Sequence, residues 1–137
     1  MSTTNVAVKA NTALVEEIYN AFKQGNIPFI LDQLADDCEW NISGSPLLTY
    51  AGTYGGKDTG RFFKSMDEVI EFIAFDVHDV KELNKDEVIA FGLLSVRSRA
   101  TGKEGKSKWV MHWKFREGRV TYFQDYVDTV QIALTLQ

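Results

Sequence analysis

Residues 108–129 read KWVMHWKFREGRVTYFQDYVDT, and the fold turns on how this stretch is read. Side chains alternate between the two sides of a β-strand. Trp109, Met111, Trp113 and Phe115 therefore share one face of a first strand, with Val110 and His112 on the other. Glu117-Gly118 supplies a tight turn. A second strand then places Val120, Tyr122, Gln124 and Tyr126 on one face and Thr121, Phe123, Asp125 and Val127 on the opposite face. Asp125 is the odd residue, because it shares its side with Phe123 and Val127. An ionised carboxylate cannot be taken out of water cheaply unless it is paired or neutralised. Asp125 is therefore expected either to line a pocket or to accept a structural hydrogen bond from a backbone turn or a neighbouring tyrosine or tryptophan.

Upstream, Ile70–Leu83 and Val88–Ala100 alternate as strands, separated by a polar turn at Asn84–Glu87 and followed by a glycine-containing turn at Thr101–Lys106. With the hairpin they make four antiparallel strands. Downstream, Asp128 or Thr129 caps a last helical turn containing Val130, Ile132, Ala133 and Leu134. The first half of the chain is mostly helical. Leu14, Val15, Ile18, Ala21 and Phe22 fall on one helical face over Asn11–Lys23, with Asn11 or Thr12 as cap and Gly25 as terminator. A short helix follows from an Asn26 cap, with Pro28 in its first turn. Cys38–Ile42 reads as a short strand, and Leu47–Gly56 as a loop that packs over something. Lys57–Met66 reads as a third helix burying Phe62 and Phe63, weakened by Gly60; Ser65 and Glu68 have the spacing of a capping box for a further turn. Helices gathered before a meander mean α+β. Long strands twist, so the expected form is a cone: a strongly curved mixed or antiparallel sheet wrapped around the N-terminal helices, with an apolar pocket inside.

The chain has 137 residues, 45% apolar and 25% charged, which suits one globular domain over 11–137 behind a flexible segment 1–10. A net charge of −4 argues against a nucleic-acid or anionic-membrane surface. The basic run between Arg97 and Lys108 is broken by Glu104 and glycines, and reads as a solvated turn. Cys38 is the single cysteine and reads as a structural residue; with no disulfide possible inside the chain, and no signal peptide or membrane span visible, a cytoplasmic location is expected. Gly52–Gly56 lacks the lysine and serine or threonine of a phosphate loop, and His78, between Asp76 and Asp79, has no second ligand set. No cofactor and no metal are expected.

A resemblance rests on several short stretches in order: Ile18–Phe22 with Gly25-Asn26; Leu34–Trp40; Tyr50-Ala51-Gly52 and Gly55-Gly56 leading to Phe62-Phe63; Thr101–Lys103; His112–Phe115 with Glu117–Val120; and Phe123–Thr129. In these the chain resembles the nuclear transport factor 2-like superfamily, specifically SnoaL-like and ketosteroid-isomerase-related proteins. That fold hosts isomerases, cyclases, hydrolases, dehydratases and non-catalytic binding modules. The steroid isomerases' general base falls at Ile42 and their protonated aspartate at Met111. The arginine and aspartate of limonene-epoxide-hydrolase relatives fall at Gly92 and Leu94, and their first-strand tyrosine and asparagine at Trp40 and Ile42. Only the last-strand aspartate survives, as Asp125, near where SnoaL-type cyclases use an aspartate as acid and base.

Asp125 is thus the candidate catalytic residue. Trp40, Tyr50, Trp109, Met111, Phe123 and Tyr19 are the candidate ligand-binding residues, Tyr19 through its likeness to the isomerases' oxyanion-donating tyrosine. Trp113 and Phe115 are expected in the core at the closed end. Two functions follow. One is acid–base catalysis on a small apolar or polycyclic ligand, by isomerisation, cyclisation, hydration or hydrolysis. The other is a binding or regulatory module that kept the pocket and lost the catalytic set. Val110, His112, Tyr122 and Tyr126 are expected to form a homodimer surface on the outer sheet face. His112 is left between that surface and, through a β-bulge, the pocket.

Overall fold

The computed structural model describes residues 10–137. The segment expected to be flexible, 1–10, lies outside the described residues except for Ala10. Helices α1 (Asn11–Lys23) and α2 (Ile27–Asp32) come first, followed by strands β1 (Leu34–Ile42) and β2 (Gly52–Gly55). A 3-10 turn over Gly56–Thr59 leads into α3 (Gly60–Val69). Then come β3 (Ile70–Asn84), β4 (Glu87–Ser98), β5 (Glu104–Arg116), β6 (Arg119–Val127) and α4 (Thr129–Thr135). The strands form one 6-stranded open sheet in the order β2-β1-β6-β5-β4-β3. The pairing of β1 with β6 is parallel and the other pairings are antiparallel, so the α+β fold has a mixed sheet.

Bulges curve this sheet around its helices. In β3 the register shifts between Phe72 and Ala74, between Val77 and Asp79, and between Glu82 and Asn84. An extra residue on one strand bends it and raises the local twist. A fourth shift corrects the hairpin. Lys114 faces Tyr122 but Phe115 faces Val120, so Thr121 is the extra residue. Strict alternation puts Val120 on the outer face; the bulge turns it into the core, where it is fully buried alongside Phe123.

Several local expectations hold. Gly25 follows α1 at φ 74°, Asn26 Oδ1 accepts from Phe29 N at 3.3 Å, and Asp128 Oδ1 accepts from Gln131 N at 3.2 Å. Others do not. α1 begins at Asn11 with no side-chain cap, because the Asn11 side chain donates instead to Lys85 O. Ser65 and Glu68 lie inside α3 and cap nothing, and Gly60 is the first residue of that helix, where a glycine costs little. β1 starts at Leu34 rather than Cys38: between Leu34 and Glu39 its register shifts, and the exposed Asp36-Asp37 pair breaks the alternation by which a strand is read. The presumed loop at Leu47–Gly56 contains β2, whose Thr53 and Tyr54 pair with Asn41 and Trp40.

α1 buries Leu14, Val15, Ile18, Tyr19 and Ala21 on the concave side. They meet Trp109 and Trp113 of β5, Trp40 and Phe123 of the parallel pair, and Phe62 and Phe63 of α3 in one aromatic core. No helix among the described residues is long and apolar enough to cross a membrane.

Candidate functional site

Asp125 sits on β6 opposite Met111 of β5, with Phe123 and Val127 as its same-face neighbours. It is 8% exposed. Ser43, the residue just after β1, holds it in place. Ser43 N donates to Asp125 Oδ1 at 2.7 Å, and Ser43 Oγ donates to the Asp125 carbonyl at 2.7 Å. Gln124 Nε2 reinforces the same clip, donating to the Asp125 carbonyl at 2.9 Å and to Ser43 Oγ at 3.1 Å. The clip fastens the end of β1 to β6 and fixes one carboxylate oxygen. The other, Oδ2, makes no hydrogen bond with any described residue. Both of the alternatives weighed for Asp125 are therefore realised, because it accepts a backbone hydrogen bond and also lines a cavity.

That cavity encloses about 80 Å³ between the concave sheet face, α1 and α3. Its walls are almost wholly apolar. Burial pushes the Asp125 carboxyl up from 3.8 to about 6, against the hydrogen bonds from Ser43. An acid in that range can give or take a proton near neutral pH.

Tyr50 comes from the segment after β1. A cis Ser45-Pro46 peptide and a turn closed by Leu48 N donating to Gly44 O bring Leu48 and Tyr50 inward. The Tyr54 hydroxyl donates to Tyr50 O at 2.8 Å and holds this backbone down. Burial, and then the Asp125 charge, raise the Tyr50 phenol well above its ordinary value. Its hydroxyl makes no hydrogen bond with any described residue.

Tyr19 also lines the cavity, but the proton of its hydroxyl is already engaged. It accepts from Trp113 Nε1 at 3.0 Å and donates to Met111 Sδ at 3.2 Å. To donate to a ligand it would have to leave the sulfur.

Of the other sequence candidates, Trp40, Met111 and Phe123 line the cavity. Trp40 lies flat on Phe123, with ring centroids 3.9 Å apart and planes 16° apart. Trp109 does not line it. Its ring stacks on Phe75 at 5.1 Å and 9°, and the indole N–H of each of Trp40 and Trp109 is buried without a partner. Trp113, expected only as closed-end core, forms part of the wall, while Phe115 is core. Ile42, Leu94 and Met111 also face this space, so three positions that the resemblance matches to polar catalytic groups are apolar wall here. Ser43 escaped the sequence reading; its only signal is a hydroxyl residue directly after an alternating strand. His112 lies on the convex face, its Nε2 2.7 Å from Glu87 Oε1 and its ring edge-on to Tyr122.

The family model described as a SnoaL-like domain matches residues 15–123. No curated protein sequence matches the chain. Among solved structures, an NTF2-like protein of unknown function from Burkholderia pseudomallei K96243 superposes with a TM-score of 0.86 at 25% identity, covering 94% of this chain and 98% of its own. TerC, co-crystallised with polyporic acid, gives 0.82 at 23% identity over 93% and 98%. A proposed polyketide cyclase from Pseudomonas putida KT2440 gives 0.76 at 16% identity over 94% and 98%. The latter two likenesses speak to the fold alone.

Proposed function

This chain belongs to the SnoaL-like family, and from that premise we propose that it moves a proton on a small apolar ligand bearing a ketone or enol oxygen, with Asp125 as the acid–base group. The observation that carries this reading is a pair of unengaged polar atoms on an otherwise apolar wall: Asp125 Oδ2 and the Tyr50 hydroxyl. A ketone or enol oxygen beside them would accept from Tyr50. Ionised Asp125 would then take a proton from the adjacent carbon. The C–H electron pair moves into a C–C double bond, the carbonyl pair moves onto oxygen, and the phenol steadies the charge that develops there. In a ligand with a carbon–carbon double bond conjugated to the enolate, return of the proton to the far carbon is an isomerisation. In one with a second carbonyl, attack of the enolate on that carbonyl, whose electron pair moves onto its oxygen and takes up the proton, is a cyclisation. Neighbours described as cyclases share this fold, which supports the class without choosing within it.

The test is deuterium exchange at the α-carbons of 2-octanone in D₂O, followed by proton NMR. The protein should accelerate exchange, with a rate that rises through about pH 6 as Asp125 ionises. Asp125→Asn should lower the rate by about 10²–10⁴-fold. Saturable binding with no exchange, unaffected by Asp125→Asn, would make this a binding module instead.

The convex face supports a second proposal, homodimerisation. Val110 is flanked across strands by Phe91 and Tyr126, which are 42% and 54% exposed, and Leu93 beside them is 39% exposed. This patch, with His112 and Tyr122 next to it, is an apolar surface suited to a second copy. Sedimentation at micromolar concentration should give a dimer that Tyr126→Glu dissociates. A monomeric wild-type protein would remove the idea.

A further inference from the structure

The cavity beside Asp125 is small. Its 80 Å³ corresponds to roughly five to eight water positions, room for only part of a ligand of ordinary size. Outside it lies a groove of about 890 Å³ between the end of α1, α3 and the first half of β3. Phe22, Phe63, Met66, Ile70, Phe72 and Phe75 line both spaces, so the wall between them is one side chain thick.

That wall is built on an edge of the sheet. β3 is an edge strand, and its register shift between Phe72 and Ala74 leaves Ile73 out of the ladder with β4. Phe22, Phe72 and Phe75 are only half-buried, and the ring of Phe22 meets the other two edge-on at 5.2 and 5.1 Å. Phe22 and Phe72 have no stacked partner among the described residues, whereas Phe75 is stacked on Trp109 at 5.1 Å and 9°. Beyond them the groove continues over Ile27, Ile73 and Ala74. Ile73 is 45% exposed there. The rim carries both signs of charge: Lys23 and Lys64 stand with Asp76, and Arg99 is bound to Asp67 and lies 4.0 Å from Glu71. Such a rim selects no ionic ligand; what the groove offers is length.

We propose that cavity and groove are the two halves of one site for an unbranched apolar chain, with its oxygen-bearing end at Asp125 and its tail past Phe22 and Phe72 over Ile73. The placement of the oxygen rests on the acid–base reading above; the course of the tail does not. A methylene chain is narrower than a fused-ring system and passes between the edge-packed rings, whereas a rigid polycycle requires the whole wall to open.

The test is a series of methyl ketones, 2-hexanone, 2-octanone, 2-decanone and 2-dodecanone, titrated by tryptophan fluorescence, since Trp40 and Trp113 line the inner space. Affinity should rise by roughly fourfold for each further methylene up to 2-dodecanone. Ile73→Lys should weaken 2-dodecanone about tenfold or more and leave 2-hexanone within about twofold. In the wild-type protein, a ¹³C-methyl resonance of Ile73 should shift with 2-dodecanone and not with 2-hexanone. Affinity that levels off at 2-octanone, no binding of 2-dodecanone, or tighter binding of the tricyclic 9-fluorenone overturns the proposal. Asp125→Asn should keep the chain-length dependence. Intact length dependence without proton exchange would therefore remove the acid–base reading and leave this one standing.

Discussion

Asp125→Asn is expected to stabilise the protein at pH 8 while lowering the proposed proton exchange by about 10²–10⁴-fold. Burial raises the carboxyl from 3.8 to about 6 in the folded chain. Between those values the native state holds a proton that the unfolded state has released, so stability falls as pH rises through the window and is flat above it. The gap corresponds to about 3 kcal/mol when Asp125 is fully ionised. Asparagine removes the charge and keeps an oxygen to accept from Ser43 N. Its amide is itself a buried polar group, so the net gain is set at about 1–3 kcal/mol, or roughly 5–10 °C in melting temperature for a chain of this size. At pH 4 the wild-type carboxyl is largely neutral and the two proteins should melt together. Tyr50, whose phenol stays protonated throughout, does not contribute to the difference. Thermal melts of both proteins at pH 4 and pH 8 decide the matter. A variant that is less stable than wild type at pH 8 would mean that the charge serves the Ser43 clip, and that Asp125 is structural first.

A destabilising charge kept in a packed wall has a functional logic. Groups poised for proton transfer are held in surroundings that disfavour their charged form, at a cost in stability. The odd position of Asp125 was legible from alternation alone, because one charge among Trp109, Met111, Trp113, Phe123 and Val127 contradicts a core face. The meander, the capped ends at Asn26 and Asp128 and the α+β class were legible for the same reason: they are local patterns of period or capping chemistry. What escaped was set by distant contacts. The bulge at Thr121 that turns Val120 inward is a property of two strands together. β2 has four residues, two of them glycine, too short for its alternation to be read from sequence, and becomes a strand by pairing with β1. Tyr19 reads as an isomerase-like donor until Trp113 and Met111 are seen to occupy its hydroxyl. Ser43 acquires its role from a residue 82 positions away.

The largest loss of stability is expected from Gly92→Ala. Gly92 pairs with Trp109 on one side and Val77 on the other. A Cβ there would lie 2.0 Å from Asp76 O and 2.3 and 2.4 Å from Cζ2 and Cε2 of Trp109. None of these atoms is the free end of a flexible chain. The carbonyl belongs to β3, which would have to lift from β4 next to its bulge, and the indole is stacked on Phe75. Overpacking in a core costs about 1–3 kcal/mol when side chains can adjust. Here backbone and a stacked ring must both move, so about 3 kcal/mol or more is expected, a fall of roughly 10–15 °C in melting temperature. Trp109→Leu in the same chain should restore only part of this, because the carbonyl of Asp76 remains in the way. A melting point within about 2 °C of wild type would show that β3 yields freely there. By resemblance, Gly92 is where hydrolase-like relatives carry an arginine. Trp109 covers that spot so closely that even one methyl group does not fit beneath it. Trp109 and a large residue at 92 are thus mutually exclusive, and the indole, stacked on Phe75, keeps this part of the sheet apolar. On the acid–base reading proposed above, proton transfer falls to Asp125 and Tyr50, which face the cavity from β6 and the segment before β2.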